Sequence, residues 1–509
     1  KMKRNKILTL LTILALMLFG TMNVQAATSI TTNPSRPGTT DTGSRYVTNQ
    51  STITINGVVS TDHLSAYKIL DVYYNSSTNQ ITYEFTSDFK AFQAQNSTYR
   101  NLTVDEYYDL TSGSTSGSTQ SPSSTLDALA SAYAAYIKSD GGVTGTPMNV
   151  SGTRATLTAD AGTYLILPTQ TMNVYAVMVG NLDFSVEGSA WNLNSATIAA
   201  KVSEVGIDKS VTTEGNKEDS YSFNEKYNYI INATVPLYPS NAIRKNYIIH
   251  DHLDAGITFD DVSNFVVKDG TSTLTISRTS ATEAYVSKGG SDRVAQIRIN
   301  GQDLTITFYV DQLTSTDLTI TYSAHLNDDA VLGAVGNKNS VTLEYSNDPY
   351  GTSDYTTEPV DTTVYTYGLE IFKHYLNGGS KVGLGNATFE IYSDSQLQHS
   401  VGTIKTASNG HGTLAGLKEG TYYIKETVAP TGYALLRDSI QIELNEDTAT
   451  NGTVTGYYLR EIANAPTGTL PSTGGMGTIL YTAIGIGIMA AAVAIIVIYR
   501  KKKMNQQNS

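Results

Sequence analysis

Two lysines face the apolar side of predicted strands. Lys209 and Lys373 each alternate with hydrophobic residues, and successive side chains of a strand point to opposite faces. The residues that share their faces are Val205, Ile207 and Val211 in the first strand, and Leu369, Ile371 and Tyr375 in the second. An unpaired ammonium group is costly to bury, and lysine is seldom fully buried. Both lysines therefore require partners within their own cores.

Acids and amides occupy inward positions of the same kind. Asp251 and Glu426 alternate with apolar residues in two other strands, Asn339 and Asn347 share a face of a later strand, and Asn464 lies near the end of the folded region. Burial favours a neutral, nucleophilic lysine amine and a protonated carboxyl group that can polarise an amide carbonyl. Held together in one dry core, such groups could form an isopeptide bond and release ammonia. The alternative is a buried salt bridge with the asparagine hydrogen-bonded nearby.

The composition of the chain indicates a β-rich protein. It contains 34 tyrosines, one tryptophan and many threonines and valines, which favour strands over helices. The net charge of -12 leaves no basic surface to neutralise phosphates, so we expect no nucleic-acid partner. Sequence motifs of hydrolases, phosphate-binding loops and metal sites are absent. We therefore expect no enzyme, no cofactor and no bound metal.

Short strands separated by turn residues predict β-sandwich domains. A flexible leader rich in Thr, Ser, Pro and Gly precedes them at 27–45. The predicted boundaries are 46–200 for an N-terminal domain, 201–350 for a middle domain, 351–363 for a polar linker and 364–465 for a third domain. One short helix, Ser124 to Lys138, is predicted in the first domain from its apolar periodicity and from a capping-box spacing at its start.

Both ends of the sequence carry processing signals. Residues 1–26 combine a basic start, an apolar run from Ile7 to Phe19 and small residues around Ala26, which is typical of a secretory signal peptide. The uncharged run from Thr478 to Tyr499 is long enough for a transmembrane helix, and a basic cluster follows it. We therefore expect the folded domains to lie outside the cell.

A pentapeptide precedes that apolar run and reads Leu470, Pro471, Ser472, Thr473 and Gly474. With the helix and the basic tail, residues 466–509 resemble the L-P-x-T-G sorting signal of proteins that sortases attach to the cell wall of Gram-positive bacteria. The resemblance implies that a sortase cleaves between Thr473 and Gly474. It also implies that the mature protein is anchored to peptidoglycan at the bacterial surface.

The third domain is similar to the collagen-adhesin B-type domains of Gram-positive surface proteins. The similarity rests on the segments 369–373 and 420–433 and on Asn464. It implies an isopeptide bond between Lys373 and Asn464, with Glu426 as the catalytic acid. The chain contains no cysteine, so such a bond would take the place of the disulfides that extracellular domains commonly use.

The middle domain resembles the middle domain of backbone pilins, which are the major subunits of sortase-assembled pili. The segments that carry this resemblance are 207–209, 247–259 and 339–345. It implies a bond from Lys209 to an asparagine, catalysed by Asp251. Asn339 is preferred as the partner because of its position before the final strand, and Asn347 stays open because it shares the same face.

The first domain departs from this pattern. Lys68 shares a face with apolar residues, but Pro168 stands where the third domain has Glu426. Without an acid we expect no cross-link there, and Lys68 should reach solvent through its long stem.

Backbone pilins are usually joined through a lysine in a W-x-x-x-V-x-V-Y-P-K motif between the first two domains. The corresponding segment runs from Trp191 to Lys201, lacks the Tyr-Pro and is one residue longer. The resemblance thus implies that Lys201 accepts Thr473 of a neighbouring copy. The alternative is that Lys201 is an ordinary surface lysine.

These resemblances imply an all-β fold of tandem immunoglobulin-like or collagen-adhesin-type β-sandwich domains, with one short helix in the first domain and a C-terminal transmembrane helix. The implied function is a structural backbone subunit of a covalently polymerised, cell-wall-anchored pilus that supports adhesion. The implied partners are a sortase, other copies of the chain and peptidoglycan, with accessory pilins and host ligands as further candidates. A monomeric wall-anchored adhesin and an accessory pilin are the alternatives.

Overall fold

The computed structural model describes residues 46–47, 50–75, 80–112, 124–140, 142–187, 190–290, 292–466, 484–486 and 488–498. The predicted signal peptide, leader and sorting pentapeptide lie outside these residues. The described chain forms two compact units. The first contains residues up to 219 together with 224–329 and 337–364, and the second contains 220–223, 330–336 and the residues from 365 onward.

The N-terminal part of the first unit combines strands with three helices. The strands are β1 (Tyr46–Val47), β2 (Gln50–Asn56), β3 (His63–Asn75), β4 (Gln80–Phe85), β5 (Thr146–Pro147), β6 (Asn149–Ser151), β7 (Arg154–Asp160), β8 (Gly162–Gln170), β9 (Val174–Tyr175), β10 (Met178–Leu182), β11 (Phe184–Glu187), β12 (Ala190–Leu193), β13 (Ala196–Ala199) and β14 (Val202–Ser203). The helices are α1 (Ser87–Gln95), α2 (Val104–Ser112) and α3 (Ser124–Asp140). A six-stranded sheet, β1-β3-β8-β10 with β4 and β5 added to β3, faces a four-stranded sheet, β13-β2-β7-β6.

The helices cover the six-stranded sheet with an aromatic core. Phe89 and Phe92 from α1 and Tyr133 from α3 are fully buried, and the ring centroids of Phe89 and Tyr133 are 5.0 Å apart. The prediction of a single helix was therefore wrong, although α3 itself was expected. Helices α1 and α2 have nine residues each, too few for a clear apolar period, and their stability comes from this packing.

The remainder of the first unit is a β-sandwich. Its strands are β15 (Gly206–Val211), β16 (Glu218–Ser220), β17 (Lys226–Thr234), β18 (Tyr247–Leu253), β19 (Ile257–Phe259), β20 (Val266–Asp269), β21 (Ser272–Thr273), β22 (Thr275–Arg278), β23 (Glu283–Ser287), β24 (Arg293–Asn300), β25 (Asp303–Phe308), β26 (Asp317–Leu326), β27 (Asn337–Tyr345), β28 (Tyr355–Thr356) and β29 (Val360–Tyr365). One sheet has the order β15-β17-β26-β20-β21, with β19 added to β26. The other has the order β16-β29-β27-β18-β25-β24-β23-β22, with β28 added to β27.

The segment 351–363 is not the polar linker that the sequence suggested. It contains β28 and most of β29, and both strands pair with β27. Thr362 and Val364 are buried, so β29 alternates between inward and outward residues, and the outward ones include Asp361 and Thr363. The composition of this segment concealed a strand whose backbone completes the sheet.

The second unit is a smaller sandwich. Its strands are β30 (Tyr367–Asn377), β31 (Ser380–Gly383), β32 (Thr388–Tyr392), β33 (Ser400–Lys405), β34 (His411–Leu417), β35 (Gly420–Val428), β36 (Ile440–Leu444) and β37 (Tyr457–Ala463). Strand β30 pairs with β31 and β34 and, in parallel, with β37, while the second sheet has the order β33-β32-β35-β36. The apolar core between the sheets includes Ile371, Phe389 and Ile424. The all-β sandwich class predicted from the sequence is confirmed.

The C-terminal residues 484–486 and 488–498 are helical. Of the described residues, none belong to a helix that is both long enough and apolar enough to span a membrane. The predicted span from Thr478 to Tyr499 also includes residues outside the described ranges.

We expect Phe89→Ala to destabilise the first domain by about 3 to 5 kcal/mol, because truncating a buried aromatic ring loses its transfer free energy and leaves a cavity. Native-state hydrogen exchange of peptides from α1 and α3 would measure the change in opening free energy. Leu237→Ala is the control, since that side chain is 65 % exposed, and it should change little. An equal effect of both variants would contradict the packing described here.

Candidate functional site

Four strands bring the candidate residues of the middle domain into one core. Lys209 lies on β15 and Tyr322 on β26 in one sheet, while Asp251 lies on β18 and Asn339 on β27 in the other. Strands β18 and β27 are antiparallel neighbours in which Asp251 is opposite Val341 and Asn339 is opposite Leu253. This register makes the acid and the amide diagonal neighbours on the same inner face.

A continuous set of hydrogen bonds links the four side chains. Lys209 Nζ lies 2.6 Å and 2.5 Å from the two carboxylate oxygens of Asp251 and donates to Tyr322 Oη at 2.9 Å. Tyr322 Oη donates to Asp251 Oδ2 at 2.5 Å and accepts from Asn339 Nδ2 at 2.6 Å. Lys209 and Asn339 are completely buried, and Asp251 is 2 % exposed. The lysine, the acid and the amide thus share one dry cluster.

Burial makes the ammonium group of Lys209 easier to deprotonate. It lowers the pKa of Lys209 to about 8, against the attraction of the Asp251 carboxylate, and the positive charge of Lys217 lowers it further. The faces of the Tyr229 and Tyr322 rings lie 4.8 Å and 5.3 Å from Nζ and give the ammonium its remaining favourable contacts. A neutral amine is therefore accessible to Lys209 near physiological pH.

Asn347, the alternative partner, does not join this cluster. It follows β27, and its side-chain Nδ2 donates to the carbonyl oxygen of Thr171 at 2.7 Å. Asn339 is the asparagine that the hydrogen bonds connect to Lys209 and Asp251.

The second unit contains a similar arrangement. Lys373 Nζ on β30 lies 2.9 Å from Glu426 Oε1 on β35, and both side chains are completely buried. Glu426 Oε2 accepts a hydrogen bond from the backbone N–H of Leu436 at 2.7 Å. Burial lowers the pKa of Lys373, against the attraction of Glu426. A lysine and an acid are again enclosed together.

Asn464 is positioned beside Lys373 by the parallel pairing of β30 with β37. Lys373 is opposite Ile462, and the backbone N–H of Asn464 donates to the carbonyl oxygen of His374 at 2.8 Å. The side-chain Nδ2 of Asn464 is buried and makes no hydrogen bond to any residue that the structure describes. The register thus places Asn464 two residues beyond the position opposite Lys373, with a side-chain nitrogen that no described residue holds.

The remaining candidates lie apart from these clusters. Lys68 pairs with Asp71 at 2.7 Å and is partly exposed. Lys201 is exposed in the short connection between β13 and β14, and its carbonyl oxygen accepts from the N–H of Ala176. Burial raises the pKa of Asp127 on α3, against the attraction of the Lys201 charge. Within the described ranges, no group of three or more His, Asp or Glu side chains could hold a metal ion.

Sequence reasoning missed Tyr322. Strand β26 alternates strictly, with Leu318, Ile320 and Ala324 on the same buried face as the tyrosine. That pattern indicated an inward position, but a tyrosine on such a face is indistinguishable from an ordinary core residue until the facing sheet is known.

Comparison with known families agrees with the fold. Residues 224–349 match the model of the Gram-positive pilin backbone subunit 2, Cna-B-like domain. Residues 376–463 match a prealbumin-like fold domain, and residues 464–505 match the LPXTG cell wall anchor motif. The chain thus matches a backbone-pilin domain model and the anchor motif of cell-wall-anchored surface proteins, and the resemblance noted in the sequence is confirmed.

Individual relatives are similar to this chain over most of its length. The trypsin-resistant surface T6 protein of Streptococcus pyogenes serotype M6 is 25 % identical over 406 residues, which cover 62 % of this chain and 73 % of the relative. The solved T6 backbone pilin of the same serotype superimposes with a TM-score of 0.61 at 21 % identity, covering 79 % of this chain and 81 % of that chain. The major pilin SpaD of Corynebacterium diphtheriae gives 0.52 at 18 % identity, covering 83 % and 98 %. The two solved structures share the fold of this chain.

The depressed pKa of Lys209 predicts a pH-dependent stability in the variant Asn339→Ala, which cannot form a cross-link there. Between pH 7.5 and 9.5 the folded lysine loses its proton while the unfolded lysine, with its ordinary pKa of 10.5, keeps it. The unfolded state then binds more protons, so the free energy of unfolding should rise with pH, by about 2 kcal/mol across this window. Urea unfolding at each pH would measure the rise.

The control for this experiment is the same variant with Lys209→Met and Asp251→Asn added, which retains every other titrating group. The difference between the two pH profiles isolates the buried pair. Parallel profiles would contradict the lowered pKa of Lys209.

Proposed function

We propose that this chain is the structural backbone subunit of a covalently polymerised pilus and that two internal isopeptide bonds, Lys209 to Asn339 and Lys373 to Asn464, stabilise it. The observation that carries the proposal is the pair of completely buried lysine-carboxylate contacts. Asn339 joins the first through Tyr322, and Asn464 follows the strand that pairs in parallel with that of Lys373. In this role the chain forms each bond once and does not turn over a substrate.

The chemistry requires only the residues at each cluster. The lysine transfers one proton to the carboxylate, the neutral Nζ attacks the asparagine side-chain carbonyl carbon, and the amide nitrogen leaves as ammonia. Asp251 serves this step in the middle domain and Glu426 serves it in the third domain. Burial supports the reaction because it favours the neutral amine and because the fold supplies a high effective concentration.

A cross-link also accounts for the cost of burying these groups better than a salt bridge alone. Removing two charges from water costs several kcal/mol per ion, which their mutual attraction repays only with excellent geometry. The amide between lysine and asparagine is uncharged, and the side-chain nitrogen of the asparagine leaves as ammonia. The reaction therefore removes the buried ammonium permanently.

We extend the proposal to the joints between subunits. The sorting signal at 470–474 provides a sortase with the bond between Thr473 and Gly474, and Lys201 provides an exposed amine near the junction of the first two domains. The transferred Thr473 would form an amide with Lys201 of the next copy, and the last subunit would be joined to peptidoglycan. Accessory pilins and host ligands are the further partners of such a fibre.

The recombinant region 27–473 should have an intact mass lower than its sequence mass by two ammonia molecules. Asp251→Ala and Glu426→Ala should each restore one ammonia, because each removes the acid of one cluster. Asp303→Ala is the control, since that carboxylate is exposed on a neighbouring strand and should leave the mass deficit unchanged. Mass spectrometry of the intact proteins and of their peptides would measure this, and an unreduced wild-type mass would disprove the cross-links.

Cell-wall extracts of the native host should give a covalent high-mass ladder on an SDS immunoblot, and Lys201→Arg should collapse it to monomer. Arginine keeps the charge but cannot accept the acyl group. Lys90→Arg is the matched control, because Lys90 is also exposed in the first domain, and its ladder should persist. A ladder that survives Lys201→Arg would move the acceptor to another lysine, and a single wall-linked band in the wild type would favour a monomeric adhesin.

A further inference from the structure

The hydroxyl group of Tyr322 lies between the nitrogen that would attack and the nitrogen that would leave. Tyr322 Oη is 2.9 Å from Lys209 Nζ and 2.6 Å from Asn339 Nδ2. Its own proton is donated to Asp251 Oδ2 at 2.5 Å. No feature of the basic reaction requires a tyrosine, yet this one contacts all three reacting groups.

We propose that Tyr322 is a catalytic residue of cross-link formation in the middle domain and that it relays one proton from Lys209 Nζ to Asn339 Nδ2. The inference rests on the proposed bond between Lys209 and Asn339 and adds the route by which the leaving nitrogen receives its proton.

The relay balances every proton and electron pair. Lys209 Nζ first gives one proton to the Asp251 carboxylate, and the neutral amine then bonds to the side-chain carbon of Asn339 while the carbonyl electron pair moves onto Oδ1. Tyr322 gives its hydroxyl proton to Nδ2 and takes a replacement from Nζ. The electron pair on Oδ1 re-forms the carbonyl, the bond from carbon to Nδ2 breaks, and ammonia leaves. Tyr322 ends as it began, and Asp251 holds the first proton.

The surroundings of Tyr322 suit this role. Burial, together with the negative charge of Asp251, raises the pKa of Tyr322 well above its usual value, so the side chain remains a neutral hydroxyl that can donate and accept at once. When Asp251 takes the proton of Lys209, its oxygens become weaker acceptors. The hydroxyl proton of Tyr322 is then released from Asp251 and can turn towards Asn339 Nδ2.

Among the residues that the structure describes, the third domain has no hydroxyl group that hydrogen-bonds to its reacting lysine. Lys373 Nζ faces Glu426 and the ring of Phe389, whose centroid is 5.5 Å away, and no hydroxyl group hydrogen-bonds to it. Formation of the Lys373 to Asn464 bond should therefore not depend on a tyrosine. The rate at which this bond forms is therefore a reference for the rate of the middle-domain bond in the same molecule.

The test is a pulse of cell-free synthesis of the region 27–473, followed by a chase, quenching at intervals and quantification of both cross-linked peptides by mass spectrometry. Tyr322→Phe should slow the middle-domain bond by roughly 100-fold, the lower range of general acid-base effects, and leave the third-domain bond at its wild-type rate. Tyr247→Phe is the control, because its equally buried hydroxyl donates to the Thr234 carbonyl and contacts none of the reacting groups. It should form both bonds at wild-type rates.

A second variant separates proton transfer from packing. Replacing Tyr322 with 3-fluorotyrosine retains the ring and the hydroxyl but changes its acidity, so the rate of the middle-domain bond should change while hydrogen exchange of β26 does not. This measurement also decides the matter should Tyr322→Phe fail to fold.

Failure of the Lys209 to Asn339 bond can be told apart from failure of the Tyr322 relay. A wild-type protein without the Lys209 to Asn339 bond would overturn the proposed function of this cluster. A wild-type protein that forms the bond, with Tyr322→Phe and the fluorinated protein forming it equally fast, would overturn the relay alone.

Discussion

The burial of one lysine ammonium in each of two sandwich cores is the constraint on which the rest of this structure depends. An isolated charge of this kind is not tolerated in an apolar interior, so every neighbouring group must be arranged around it. In the middle domain the neighbours are Asp251, the hydroxyl group of Tyr322 and the ring faces of Tyr229 and Tyr322. In the third domain they are Glu426 and the ring of Phe389.

The two domains meet this constraint with different backbones. In the middle domain the acid and the amide are diagonal neighbours on adjacent antiparallel strands, and the lysine approaches from the facing sheet. In the third domain the lysine lies on β30 and the asparagine follows the parallel neighbour β37, while the acid approaches from the facing sheet. The proposed chemistry therefore depends on which three groups meet and not on which strand supplies each of them.

Much of the site could be predicted from the sequence because the two-residue period of a strand is a local property. It placed Lys209, Asp251, Lys373 and Glu426 on inward faces without knowledge of any sheet. The choice between Asn339 and Asn347 could not be made in this way, since the alternation puts both on one face. The structure separates them, because Asn339 lies opposite Leu253 of β18 while Asn347 lies beyond β27 and donates to the Thr171 carbonyl oxygen. The contacts of Tyr322 could not be predicted either, because they depend on how the two sheets face each other.

The elements that the sequence failed to predict are those whose stability is not local. Helix α2 has a capping box, in which Glu106 accepts from the N–H of Thr103, but its nine residues depend on packing under the six-stranded sheet. Strand β29 has a polar composition and depends on β27 for its pairing. In both cases the tertiary partner, rather than the segment itself, decides the structure.

The positions of the proposed bonds have a mechanical consequence. Lys209 lies on β15 and Asn339 on β27, near the start and the end of the middle sandwich, and Lys373 and Asn464 lie on the first strand and just after the last strand of the third. Tension that enters such a domain at one end would pass through the amide bond to the other end. The intervening strands would carry little of the load, and their hydrogen bonds would not have to resist unzipping. A chain without disulfides would in this way gain, within each sandwich, a short covalent path that bypasses the intervening strands.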